Sequence, residues 1–156
     1  MRMLFIRHGD PDYVHDTLTE KGRREAALLA EYAPKLNVGE CYVSPLGRAQ
    51  DTASYSLKKL GKTAQTLGWL REFPAVVNLN ETPHLLEAYP TADMVDGKYK
   101  ERIVWDVMPS YLMEHGECLD PVRWRESDIC RHTNTVELYD QTIEKFDQFL
   151  AEHGYV

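Results

Sequence analysis

A four-residue apolar run, Met3-Leu4-Phe5-Ile6, leads without a break into Arg7-His8-Gly9 and then, past the polar Asp10-Pro11-Asp12, into a helical pattern. A short apolar run bounded by turn residues predicts a buried strand over about 3–8. Ala26, Leu29, Ala30 and Ala33 recur at three- and four-residue spacing and predict a helix over about 19–33. Thr19 is placed to cap that helix and Pro34 to end it. A chain that opens strand, polar turn, helix is committed to an α/β arrangement if the alternation continues.

The handover itself carries chemistry. Histidine titrates near neutrality, so a good fraction is neutral and nucleophilic in the cell, while the neighbouring arginine stays charged and can fork onto phosphate oxygens. Gly9 lets the backbone approach a ligand closely.

The alternation does continue. The stretch from Cys41 to Ala53 predicts a strand at about 40–44 running into a helix at about 45–60. Ser44 is its expected cap, Pro45 its first residue, and Gly61 its close. Ala49, Ala53, Leu57 and Leu60 mark its apolar face, and Arg48 falls in its first turn, where free backbone donors and the positive end of the helix dipole meet. A weakly alternating strand is expected at about 63–68, irregular chain at 74–83 and short helices near 103–114. A last helix is expected at about 135–153, with Val136, Tyr139, Ile143, Phe146 and Leu150 on its apolar side and Gly154 beyond its end. Tyr155 and Val156 resemble the start of a further element.

Three matches in order make the chain resemble the histidine phosphatase superfamily, the phosphoglycerate-mutase-like fold. They are Arg7-His8-Gly9 after the first strand, Ser44-Pro45-Leu46-Gly47-Arg48-Ala49 with Thr52-Ala53, and Leu70-Arg71-Glu72 after the third strand; Leu18-Thr19-Glu20-Lys21-Gly22 also fits. The resemblance implies a three-layer α/β sandwich with a mostly parallel central sheet flanked by helices. It also implies phosphoryl transfer through a phosphohistidine, with His8 as nucleophile, Glu72 as acid and base, and Arg7 and Arg48 binding the phosphate. The chemistry suits these residue types: charge on the equatorial oxygens of a phosphoryl group in flight is stabilised by positioned cations, and a leaving alkoxide needs a proton. Each residue also has a plainer role open to it. His8 could be a packed strand-end histidine and Arg7 its neighbour, Arg48 could decorate a helix turn, and Glu72 could be a solvated ion-pair partner of Arg71.

The family carries a second catalytic histidine at the end of a late apolar strand, and that strand is expected to be absent here. His15, His84, His115, His132 and His153 have no apolar strand in front of them, and solvated surface histidine is the expectation for each.

With 156 residues, 43% of them hydrophobic, the chain is long enough for one core, and it is expected to form a single domain with an insertion at about 73–133. Five prolines and the aromatic residues Tyr89, Trp105, Tyr111 and Trp124 fall within the insertion, where they either cover the site or pack the insertion onto the domain. The charged run at 123–131 is expected to be a solvated face. A net charge of −7 argues against nucleic acid or an acidic membrane as partner, so an anion site must be a local positive pocket. Cys41, Cys118 and Cys130 have neither metal-ligand spacing nor a disulfide framework. With no secretory signal or membrane-length run, the cytoplasm is the expected compartment, with no cofactor and no metal. A small phosphorylated substrate is the expected partner. The expected activity is that of a phosphatase, with a phosphoglycerate-mutase-like phosphotransferase or a noncatalytic binding protein as alternatives.

Overall fold

The structure, a computed structural model, describes residues 2–155, so Val156, part of the expected further element, lies outside the described residues. The chain forms two compact units that divide between Glu72 and Phe73.

The first unit holds β1 (Pro11–Asp12), β2 (Thr17–Leu18), α1 (Glu20–Tyr32), β3 (Tyr42–Val43), α2 (Gly47–Leu60) and β4 (Gln65–Thr66). β1 and β2 form a short antiparallel pair, and β3 pairs with β4 in parallel, Tyr42 opposite Gln65 and Val43 opposite Thr66. Thr19 caps α1 as its position predicts: its hydroxyl accepts from the Gly22 amide at 3.1 Å and donates to the Asp10 carboxylate at 2.6 Å. Gly22 is needed for this approach, because a Cβ there would sit 2.2 Å from the Asp10 carbonyl oxygen. Ala26, Ala30 and Ala33 are buried along α1, and the helix gives way at Pro34 to a 3₁₀ turn over Ala33–Leu36.

Two expectations for this unit are corrected. Residues 3–8 do not join a strand ladder among the described residues. Met3, Leu4, Phe5 and Ile6 are exposed, Phe5 by 78%. An apolar run supplies one side of a strand pair; without a neighbour to accept its backbone groups it is extended chain. Helix α2 starts at Gly47, not at Pro45. Leu46 is the flanking residue, and the Ser44 hydroxyl closes a turn with the Leu46 amide at 3.3 Å instead of capping the helix. The far end is as expected, with Gly61 in the left-handed region at φ 61°. Of the expected central sheet, the described residues show the one parallel pair β3–β4.

The second unit is richer in structure than its sequence suggests. β5 (Val76–Val77) lies within the stretch expected to be irregular and pairs antiparallel with β8 (Arg102–Ile103). β6 (Met94–Val95) and β7 (Lys98–Tyr99) form a hairpin whose two turn residues, Asp96 and Gly97, both have positive φ, 50° and 74°. That is the backbone an Asp-Gly pair favours in a two-residue hairpin loop. Helices α3 (Pro109–Glu114), α4 (Asp128–Arg131) and α5 (Thr135–Glu152) follow. Val77, Leu79, Leu85, Ala88, Tyr89, Tyr111 and Ile129 make one core, so Tyr89 and Tyr111 pack the unit from within. The Tyr89 hydroxyl, which burial would otherwise orphan, donates to the Val104 carbonyl at 2.8 Å. The charged run is partly structural: Arg125 grips Asp140 at 2.6 and 2.9 Å and lies over the rings of Trp124 and Tyr139. No helix among the described residues is long and apolar enough to cross a membrane.

Burial pushes the Tyr111 hydroxyl up to about 12 and that of Tyr89 further. Both folded values lie above the unfolded tyrosine value of about 10. Their contribution to stability is therefore complete below pH about 10 and is lost as pH rises toward the folded values. Absorbance at 295 nm during an alkaline titration should show a lagging fraction of the nine tyrosines that ionises together with loss of far-ultraviolet dichroism. All tyrosines ionising near their ordinary value, with dichroism intact, would contradict this core.

Candidate active site

The site is built around Arg48, the second residue of α2, which is 7% exposed. A buried guanidinium must be paired, since desolvating it alone costs several kcal/mol or more. Here two carboxylates meet it: Nη1 donates to Asp16 at 2.7 Å and Nη2 donates to Glu72. Its Nε–H is buried and has no acceptor among the described residues.

Asp16 also serves the helix. Its backbone is in the left-handed region at φ 47°, and its side chain accepts from the Gly47 amide at 2.7 Å and lies 3.5 Å from the Arg48 amide. The free donors at the start of α2, which the sequence points toward a phosphate, thus face an internal carboxylate. Gly47 admits this contact, because a Cβ there would stand 2.1 Å from the Asp16 carbonyl oxygen. The Gly47 amide and, next, the Arg48 guanidinium hold the Asp16 carboxyl below its ordinary value against the opposing effect of desolvation.

His8 reaches this cluster through two links. The Gly9 amide donates to the Thr52 hydroxyl at 3.1 Å, and that hydroxyl donates to the Arg48 carbonyl at 2.8 Å, one turn back along α2. The Tyr13 ring stands edge-on to the imidazole with 6.4 Å between centroids, and the Arg48 guanidinium carbon lies 5.2 Å from the centre of the same ring. His8 Nδ1 is 2.8 Å from the Gly9 carbonyl oxygen. A carbonyl only accepts, so in the neutral imidazole Nδ1 carries the proton and Nε2 the lone pair.

Of the four residues the sequence picks out, Arg48 and Glu72 are in direct contact and His8 is tied to the same helix turn. Arg7 is exposed and, among the described residues, makes no hydrogen bond or ion pair. Sequence reasoning missed Asp16 and Tyr13, and gave Thr52, which it includes in the second family match, no role in the site. Thr52 stands one turn beyond Arg48 on α2, a spacing that marks it as a neighbour. Asp16 and Tyr13 lie on a turn with no periodicity to place them.

Asp16 folded titrates below its unfolded value of about 3.9, so its contribution is present above that pH and is lost as pH falls through the lowered folded value. Asp16→Asn should lower Tm at neutral pH and make the acid side of the Tm-versus-pH curve shallower. An unchanged curve would remove Asp16 from the clamp.

Comparison with known proteins yields one family and a set of distant folds. The model of the histidine phosphatase superfamily (branch 1) matches residues 3–134. No curated protein matches. Among solved structures, a mycobacterial hydrolase is similar at 22% identity, covering 80% of this chain and 68% of its own, with a TM-score of 0.41. A mycobacterial glucosyl-3-phosphoglycerate phosphatase is similar at 20% identity, covering 80% of this chain and 67% of its own, with a TM-score of 0.40. The family match runs through Arg7-His8-Gly9, the Arg48 turn and Glu72 and on into the second unit: this chain belongs to branch 1 of the histidine phosphatase superfamily.

Proposed function

We propose that this protein hydrolyses a small phosphomonoester through a phosphohistidine on His8, with Arg7 and Arg48 binding the transferring group and Glu72 as acid and base. The observation that carries this reading is the hydrogen bond from His8 Nδ1 to the Gly9 carbonyl, which leaves Nε2 of the neutral ring as a nucleophile, together with the link from the Gly9 amide through Thr52 to the helix turn of a buried arginine. Nε2 attacks phosphorus, the bond from phosphorus to the ester oxygen breaks, and the departing alkoxide takes the proton of the Glu72 carboxylic acid. Water then attacks phosphorus, the N–P bond returns its electrons to Nε2, and the Glu72 carboxylate takes the proton of the water. Arg48 contributes its charge and its unpartnered Nε–H to the phosphoryl oxygens, and the exposed Arg7 closes from the solvent side.

Glu72 occupies Arg48 Nη2 before substrate arrives, and its side chain is half exposed. An incoming phosphate oxygen displaces it, and the displaced carboxylate, on taking a proton from solvent, stands beside the leaving group as its acid. The same reading takes the chain as one domain with its insertion at about 73–133 and a mostly parallel central sheet, and sets the protein in the cytoplasm.

One observation favours a protein that binds without turnover: both terminal nitrogens of Arg48 already hold carboxylates. Turnover separates the two. The wild-type chain should hydrolyse p-nitrophenyl phosphate and form an acid-labile phosphoenzyme, and His8→Ala should abolish both. Hydrolysis that survives His8→Ala sinks the nucleophile assignment, and isomerised phosphoglycerate in place of free phosphate identifies a phosphotransferase.

Glu72→Gln should slow turnover of alkyl phosphates by roughly 10²–10⁴ while affecting p-nitrophenyl phosphate far less, because a good leaving group needs no proton. Equal slowing of both would take the acid role from Glu72.

A further inference from the structure

The second unit brings together three side chains that the phosphatase reading does not use. His84 lies in the 3₁₀ segment Pro83–Glu87, Asp128 opens α4, and His132 follows α4 as its flanking residue. One donor atom from each lies within 4.8 Å of the others. His84 Nε2 is 3.1 Å from Asp128 Oδ2, His132 Nδ1 is 3.1 Å from Asp128 Oδ1, and the two imidazole rings stand edge to face with 4.9 Å between centroids.

We propose that His84, Asp128 and His132 bind one divalent ion of the zinc class, with water completing its shell. Two imidazoles and a carboxylate suit Zn²⁺, Co²⁺ or Ni²⁺, not the hard ions Mg²⁺ and Ca²⁺, which take oxygen donors. A tetrahedral ion with bonds of about 2.0–2.1 Å holds its ligand atoms roughly 3.3 Å apart. The His84–Asp128 pair is already near that separation, and the widest pair must close by about 1.5 Å, which side-chain rotation supplies.

The backbone is pre-set for this. Leu85 and Ile129, each next to a ligand in the chain, are buried in one core, which fixes the distance between the two segments. Ser127 caps α4, accepting from the Cys130 amide, and the Thr133 hydroxyl ties the far end to the Ile129 carbonyl at 2.9 Å. His132 Nδ1 is also 2.8 Å from the Asp128 carbonyl oxygen, a contact that holds the ring against the end of α4. All three side chains are 41–48% exposed, so an ion and its water can enter. Asp128 and His132, four residues apart, share one side of α4, while His84 comes from a segment distant in sequence. A bound ion would therefore staple the two segments and stabilise the fold by mass action.

The test is titration of the full chain with Zn²⁺ by calorimetry and with Co²⁺ by absorbance. One equivalent should bind, Co²⁺ should give visible d–d bands without a near-ultraviolet thiolate charge-transfer band, Mg²⁺ should not compete, and Zn²⁺ should raise Tm. His84→Gln and His132→Gln should each weaken binding at least about tenfold, while Glu81→Gln should leave it unchanged. Since a ligand variant could lose its fold, ring-nitrogen spectra of the wild-type chain give an independent reading: Zn²⁺ should shift His84 and His132 and leave His8 and His15 in place. No binding, a thiolate band, binding unaffected in both histidine variants, or shifts at other histidines would each overturn the site.

Discussion

The first unit depends on keeping one cation out of water. Arg48 is buried at the start of a helix, and its charge is tolerable only because Asp16 and Glu72 meet it from two other parts of the chain. That single requirement fixes a turn against the helix start and the segment after β4 against its first turn. It also explains why Gly47 has no side chain and why Asp16 accepts a left-handed backbone. The surrounding apolar burial is modest, made largely of alanines, so the polar clamp sets the geometry that small side chains then fill. An arginine held this way is rigid before any ligand arrives, which is what phosphoryl transfer asks of its charge partners.

Helices were legible because their signals are local. The ends of α1, α2 and α5 follow from Thr19, Gly61 and Gly154, residues whose side chains or backbone freedom act within a turn of their own position. The start of α2 was misplaced for the same reason turned around: Ser44 has a cap's chemistry, but Asp16, far away in sequence, supplies the acceptor that the helix uses. Strands were less legible, because a strand exists only with a partner. Residues 3–8 have the composition of one and no ladder among the described residues, whereas Val76 and Val77, set in a proline-rich stretch, have one with Arg102 and Ile103. The Asp96-Gly97 hairpin does carry a local signal, the Asp-Gly pair itself.

The site divides along the same line. Arg48 stands at a helix start, where residue type is informative, and His8 and Glu72 stand in short motifs that carry the family resemblance; the family match covers all three. Asp16 and Tyr13 carry no such mark; their place is set by how a turn folds back onto α2, which no spacing encodes. His84 and His132 looked like ordinary surface histidines because the carboxylate between them is brought there by a core, through Leu85 and Ile129, that sequence spacing does not disclose.

The two units are held by different physics, and that difference separates what conditions should do to each. In the first, the decisive contacts are charge-assisted hydrogen bonds among Asp10, Thr19, Asp16, Arg48 and Glu72, with carboxylates as acceptors. Acid removes those acceptors, and it does so before it touches anything apolar. In the second, Leu79, Leu85, Val77 and Tyr89 are fully buried, and the hydroxyls that burial holds neutral give way only in alkali. The proposed chemistry draws on the acid-sensitive unit, and the proposed ion on the other. Loss of turnover on acidification therefore does not require loss of the second core, and stabilisation by Zn²⁺ does not require an intact Arg48 clamp.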